Sequence, residues 1–519
     1  MNPFKEIPYK RDMTSDEYKM RFEENAKIGA SFYKAAFLPT ILYALAFGIL
    51  IYDNYTSITM TVYALLTIIY CTYMFSKTGL KFKIGNIFYM VVLLLLGIST
   101  FLTGNGTIHV FNYCAFLLML VSLLVHQFYN DKGWGLGKYL AAVLFNIFGS
   151  ASCWLRPFTE GSAYRKQQRA AGTGAEKKEV SSSTKYVVAG LMIAIPFVLA
   201  IGATLASADA VFKNFITSIG FNVKIGNLVG RLIFIFVSFI LAYAGMRFVA
   251  LEKFEDDIQP TKKSNPIMAM TFVTVLDILY VIFAIIQITC LFMGGTLPEG
   301  MTYAEYARTG FFQLLFVSIL NLLIVLFIKA FAEDNAVLKI LLLLFNICTY
   351  IVIASSAYRM MLYIEVYYLT FLRVFVLVAL LLLATLFLGV TIYIFTDKFP
   401  MFKYGLICIT VIYLAFSFAR VDYWIADYNL ARVDQAAFVD FSDPKTPVDM
   451  KRRLENDILY YGCLSTDAAP AIKKHEERLG DAGERISLLF TETHSQEFKR
   501  DDFWHYNKSV HDAKELFGE

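Results

Sequence analysis

Apolar residues in this chain come in long unbroken runs, not in the alternation of a half-buried strand or the narrow stripe of a surface helix. "LVALLLLATLFLGVTIYIF" (Leu377–Phe395) holds no charged side chain, and similar windows recur through the first 420 residues. A run of roughly 18 or more apolar residues is long enough to carry a helix across a bilayer. These windows predict about eleven spans, at 33–52, 58–75, 84–102, 109–127, 186–206, 227–249, 266–293, 311–331, 338–357, 371–395 and 404–420. The expected fold is all-α: a polytopic helical membrane protein.

Two stretches break the pattern. After His126, "GKYLAAVLFNIFGSASCWLRPF" is apolar but short, interrupted by Gly and Ser and flanked by Trp134 and Trp154. It reads as an interfacial or re-entrant segment. The low-complexity "AAGTGAEKKEVSSSTK" that follows reads as a flexible linker. From residue 421 onward the apolar runs stop. "STDAAPAIKKHEERLG" offers Ser465 or Thr466 as a helix cap, Pro470 in the first turn and Gly480 as a stop, so a small helical soluble domain is expected. The organisation predicted is an arm over 1–32, a four-helix segment over 33–127, a basic loop over 128–185, a seven-helix core over 186–420 and a helical domain over 421–519.

Charge adds orientation. Lys5, Lys10, Arg11, Lys19, Arg21, Lys27 and Lys34 crowd the arm, and Arg156, Arg165, Lys166, Arg169, Lys177, Lys178 and Lys185 fill the long loop. The short loops "DNYTS" and "TGNGTIH" carry no Lys or Arg. Positive residues are retained on the cytoplasmic side, which predicts a cytoplasmic N-terminus. With an odd number of spans the acidic tail, 14 Lys and Arg against 20 Asp and Glu from Arg420 on, falls outside. The localisation expected is the bacterial cytoplasmic membrane. A charged first thirty residues leaves no apolar core for a cleaved signal there.

Composition agrees: 57% hydrophobic, 16% aromatic and 17% charged residues, with a mean hydropathy of +0.54. The net charge of +4 reflects topology and not nucleic-acid binding, so the partners expected are the lipid bilayer and an envelope protein met through the C-terminal domain. Seven cysteines, with only Cys463 in the tail, preclude a disulfide within that domain. No phosphate-binding loop, GxSxG elbow, metal-ligand spacing or cofactor motif is present, and His505 and His511 stand six apart, unlike the pair of a HExxH helix. No cofactor and no catalytic residue is assigned.

Polar residues inside apolar windows carry the functional expectation, because ionisable groups at membrane depth are expensive and mark pathways or sites. Asp277 lies mid-span in "TFVTVLDILYVIFAIIQITCLF", with Gln287, Asn321 and Asn346 as candidate company for an intramembrane polar site. Against it stands a buried structural network, since Asn side chains also join spans by hydrogen bonds. A second cluster is expected on the outer face. Tyr303, Glu305 and Arg308 come from "EGMTYAEYARTGFFQLL", and Arg359, Glu365 and Arg373 from "SAYRMMLYIEVYYLTFLRVF", read as the turn between two spans. An interfacial anchoring belt competes with that reading. Arg231, Arg247 and Lys329, near span ends, are expected to snorkel.

Several stretches together resemble a bacterial family of multi-pass membrane proteins known as a domain of unknown function of the 4153/4173 type. They are "TYAEYARTGFFQLL", "YRMMLYIEVYYLTFLRVF", "IADYNLARV", "DILYYGCLSTDAAPAI" and "WHYNKSV", in order over roughly residues 180 to 519. The resemblance implies a multi-pass core with a C-terminal helical appendage and no established activity. Tyr367 and Tyr368 stand before "LTFLR" where family members read Gly, which questions any Gly-dependent turn there. The function expected is membrane transport or envelope sensing around Asp277. The alternatives are a membrane-embedded enzyme on lipid-linked or envelope substrates, or a non-catalytic assembly or scaffold protein.

Overall fold

Thr14 starts the first helix. Its hydroxyl accepts from the Glu17 amide while the Glu17 carboxylate accepts from the Thr14 amide at 2.8 Å, a reciprocal capping box. Helix α1 therefore begins at Ser15, well before the apolar run, and continues to Leu50. The computed structural model describes residues 2–7, 13–131, 133–171, 201, 205, 223–251, 264–289, 310–396, 398–433, 457–500 and 503–518.

The helices that follow are α2 (Thr59–Lys77), α3 (Asn86–Leu102), α4 (Gly106–Phe128), α5 (Leu136–Gly149), α6 (Arg156–Ala170), α7 (Val223–Ala250), α8 (Pro266–Gln287), α9 (Phe311–Phe331), α10 (Ala336–Tyr367), α11 (Phe371–Phe395) and α12 (Met401–Phe418). Four belong to the C-terminal part: α13 (Val421–Arg432), α14 (Ala469–Leu479), α15 (Asp481–Phe498) and α16 (Lys508–Phe517). Among the described residues there is no strand, and nine helices are long and apolar enough to cross a membrane. Exposed faces of Ile, Leu, Val and Phe along these helices require hydrocarbon around them. The protein is an all-α, multi-pass integral membrane protein.

Several expected spans change length. Helix α3 has only 17 residues, about 25 Å at 1.5 Å per residue, short of a full bilayer. The run from Gly137 to Cys153 meets the helix from Arg156 to Ala170 at 54°, the geometry of a broken span or a re-entrant loop. Of the expected span at 186–206 only residues 201 and 205 are among the described residues. Helix α10 corrects the turn expected from residue 358. It contains neither Gly nor Pro and continues to Tyr367, leaving Tyr368–Thr370 as the turn. Tyr368 there has φ 62° and ψ 179°, a backbone region natural to Gly. The turn survives without the glycine.

The chain divides into two units. The first comprises Met1–Gly97, Phe116–Asp131 and Tyr139–Glu255. Its centre is polar as well as aromatic. Tyr43 stacks on Tyr70 at 4.6 Å between centroids, and their hydroxyls bond Thr67 at 3.0 Å and Thr40 at 2.9 Å. Arg247 does not snorkel: it is 0% exposed. Its guanidinium donates to Glu160 at 2.6 Å, to Glu6 at 2.7 Å and to the Phe4 carbonyl at 3.1 Å, with the Phe32 ring 5.1 Å away. A guanidinium so enclosed is tolerated because its donors meet carboxylates. The clamp ties down the head of the chain, where Asn2 donates to the Ala250 carbonyl at 3.0 Å. Arg231, in contrast, is exposed and pairs with Asp53.

The second unit comprises Ile98–Ala115, Lys132–Lys138 and Asp256–Glu519. One apolar core joins α8 to α11 through Val273, Val325, Phe345 and Phe387, and another joins α13 to the C-terminal helices through Ile425, Ile472, Ile486 and Phe490. Lys329 is buried too, its ammonium 3.0 Å from Asp334. In the C-terminal part Ser465 is the cap of a short 3-10 turn, Pro470 sits in the first turn of α14, and Gly480 ends it at φ 55°. The expected Ser465 or Thr466 cap is not the cap of α14, whose N-cap is Ala468, and the Ser465 hydroxyl is spent on Asp422.

Candidate functional site

The buried residues of α8 are Ala269, Val273, Asp277, Ala284 and Gln287, a helical stripe turned to the protein. Asp277 is 3% exposed, and neither carboxylate oxygen has a hydrogen-bond partner among the described residues. The Cys348 thiol on α10 lies within its electrostatic reach.

The residues proposed to accompany it are held by others. Asn321 accepts from Tyr280 at 2.8 Å and donates to Thr349 at 3.0 Å. Asn346 donates to Thr391 at 2.6 Å. Gln287, ten residues and so about 15 Å along α8 from Asp277, accepts from Ser355 at 2.6 Å and from Arg359 at 3.0 Å. Arg359 is thus drawn from the expected outer cluster into the bundle. Arg373 covers the end of α10, donating to the Tyr367 and Tyr368 carbonyls, with its guanidinium 4.3 Å from the Tyr363 ring. A cation at a helix C-terminus meets the carbonyls left over there. Glu365 is exposed and has no partner among the described residues. Tyr303, Glu305 and Arg308 lie outside the described residues.

A larger polar centre, missed in the sequence, sits where α3, α4, α12 and α13 meet the C-terminal helices. Asn105 caps α4, accepting from the Thr107 and Ile108 amides at 3.0 Å each, and its amide donates to Asp422 at 2.9 Å. The same Asp422 oxygen accepts from the Ser465 amide at 3.2 Å and hydroxyl at 2.5 Å. Asp467, also buried, accepts from the Thr103 hydroxyl and from the Gly104 amide at 3.1 Å, with Arg420 at 3.8 Å. Burial pushes the Asp467 carboxyl above its usual range, against the pull of Ser509, Thr103, Gly104 and Arg420. Asn507 caps α16 and donates to the Thr103 carbonyl at 2.9 Å, which His109 also meets at 2.9 Å. Within the spans the chain of contacts continues: Asn112 accepts from Tyr413 at 2.6 Å and Ser417 at 2.9 Å, and Ser417 meets Ser99.

Gly104 makes this approach possible. A Cβ there would stand 2.0 Å from the Thr466 hydroxyl. The centre draws on "DILYYGCLSTDAAPAI" for Ser465 and Asp467 and on "WHYNKSV" for Asn507, and "IADYNLARV" lies on the same helix as Asp422. Those Asp and Asn residues beside Ser and Thr were the available signal. Of the tail histidines, His475 meets Asp427 at 2.9 Å and His494 meets the Leu464 carbonyl at 2.8 Å. Among the described residues no group of three or more His, Cys, Asp and Glu is arranged to hold a metal.

The family model "Domain of unknown function (DUF4153)" matches residues 90–475, starting earlier and ending sooner than the stretch over which the sequence resemblance runs. No curated protein and no solved structure matches the chain.

Proposed function

The chain belongs to the DUF4153 family, and within it we propose a protein of the bacterial cytoplasmic membrane that carries out proton- or cation-coupled transport through the α8, α9 and α10 bundle. Asp277 is the residue on which coupling turns. The observation that supports this is the isolation of its carboxylate, buried at mid-span with both oxygens unmatched among the described residues. A charge at that depth costs on the order of 3 kcal/mol on the lenient insertion scale. A proton or small cation bound there removes the cost, and its release is felt by the helices packed around α8. The N-terminus is cytoplasmic and the C-terminal helical domain extracytoplasmic, as the Lys and Arg distribution argues.

The test is purified protein in liposomes carrying a pH-sensitive dye. Wild type dissipates an imposed proton or alkali-cation gradient; Asp277→Asn loses that flux while its melting temperature stays unchanged. A variant that keeps its flux and only melts earlier returns Asp277 to a structural role.

Envelope sensing is the second reading, favoured by the buried contacts of Asp422, Asp467 and Asn507. A ligand or partner at the C-terminal helices would act through these contacts on α3, α4 and α12. Loss of signalling on deleting 421–519, with flux preserved, would favour it over transport.

A further inference from the structure

An open pocket of about 580 Å³ lies beside the Asp422 centre, lined among others by Asn105, Thr370, Leu372, Asp422, Tyr460 and Cys463. Asp422 is only 4% exposed, and its contacts are lopsided. One oxygen takes all three donors, from Asn105 and Ser465, while Oδ1 accepts from no described residue. Asp422 lines the pocket, and an N–H donor bearing positive charge is the strongest match for its free carboxylate oxygen.

The rest of the pocket narrows the class of ligand. Thr370, which precedes α11, makes no side-chain capping bond among the described residues. Burial and the Asp422 charge hold the Tyr460 hydroxyl up at about 12, so it keeps its proton, and Arg373 acts on it with the opposite sign. One turn further into α4 and α11, Val110 and Phe375 are exposed, as is Leu372 of the pocket lining. These positions belong to spans, so the pocket opens at the edge of hydrocarbon.

We infer that this pocket binds a primary ammonium group, of an ethanolamine phospholipid headgroup or of a small soluble amine, with Asp422 as its anchoring carboxylate. The inference is independent of Asp277, which lies elsewhere in the fold. Cys463, an exposed thiol on the pocket wall, is a built-in reporter.

The experiment labels full-length protein with a membrane-impermeant maleimide and follows Cys463 by peptide mapping. Three preparations are compared: nanodiscs of phosphatidylcholine alone, nanodiscs with one part in three of phosphatidylethanolamine, and phosphatidylcholine nanodiscs with millimolar ethanolamine. Two-thirds occupancy slows labelling about threefold. Slowing by the ethanolamine lipid alone identifies the headgroup, and slowing by free ethanolamine identifies a soluble amine at the same site. No slowing by either overturns the inference. N-methylated and N,N-dimethylated headgroups should protect progressively less as N–H donors are removed, a readout that needs no variant. Asp422→Asn should abolish protection, and protection retained in that variant would remove Asp422 from the site.

Discussion

The side-chain amide of Asn429 closes on both backbone groups of Leu369, accepting from its N–H at 2.7 Å and donating to its C=O at 2.9 Å. One residue upstream, Tyr368 holds its positive φ. The pair explains how a tyrosine occupies a turn suited to glycine: Asn429 and Arg373 fix the backbone on either side of the strained residue.

Asn429→Ala should leave the Leu369 backbone unmatched and lower stability by roughly 1–3 kcal/mol. Tyr368→Gly should raise it by about 1 kcal/mol by relieving strain. Thermal unfolding in detergent, with the two changes made singly, checks both signs.

Asp467 predicts a pH dependence. Its folded-state value lies above the ordinary 3.8, so its contribution to stability is complete below that value and is lost as pH rises through the higher folded value. Asp467→Asn should flatten this part of the profile of melting temperature against pH. Asp427 works the other way. Held low chiefly by Lys474, it contributes above 3.8, and the contribution disappears as pH falls through its folded value. A flat wild-type profile in the mildly acidic range would contradict the assignment to Asp467.

Gly104→Ala should force the loop away from Thr466 and lower stability by about 1–3 kcal/mol. Protease accessibility of the C-terminal helices should rise with it. Thr466→Ala in the same chain should restore part of the loss, because it removes the hydroxyl that the new methyl would strike.

Arg247→Ala should destabilise by about 3–5 kcal/mol, since buried Glu160 would lose the guanidinium at 2.6 Å and keep only Arg156 at 4.0 Å, while Glu6 stays paired with Arg156 at 2.9 Å. Limited trypsin digestion should then cut faster after Lys5. Arg231→Ala, removing only an exposed pair, should change little.

Orientation has its own check. In intact cells an impermeant maleimide should reach Cys463, and protease added outside should spare the Arg165 region. The reverse pattern would invert the proposed topology.

Helix type and the local punctuation of the C-terminal part could be read from the chain because apolar runs, Pro470 and Gly480 act through near neighbours. Asp277 was visible as an anomaly for the same reason. Its surroundings were not, because Asn321 and Asn346 are matched by Thr349 and Thr391, hydroxyls that no periodicity marks out. The centre around Asp422 was hidden more deeply. Thr103 and Asp467 stand 364 positions apart, and Ser99 and Ser417 stand 318 apart, so each half looks like an ordinary polar residue at a helix end. The turn after α10 was misplaced because Arg359 suggested water, whereas Gln287 supplies its partner inside the bundle.

The clamp on Arg247 also bears on how the protein is made. Phe4 and Glu6 precede it by 243 and 241 positions, so both have left the ribosome long before the guanidinium that will hold them is synthesised. Until α7 enters the bilayer, the leading segment and Glu160 have only Arg156 as a shared counter-ion, 2.9 Å from Glu6 but 4.0 Å from Glu160. An unfinished chain thus holds Glu160 short of its closest counter-ion, which arrives only with a later helix.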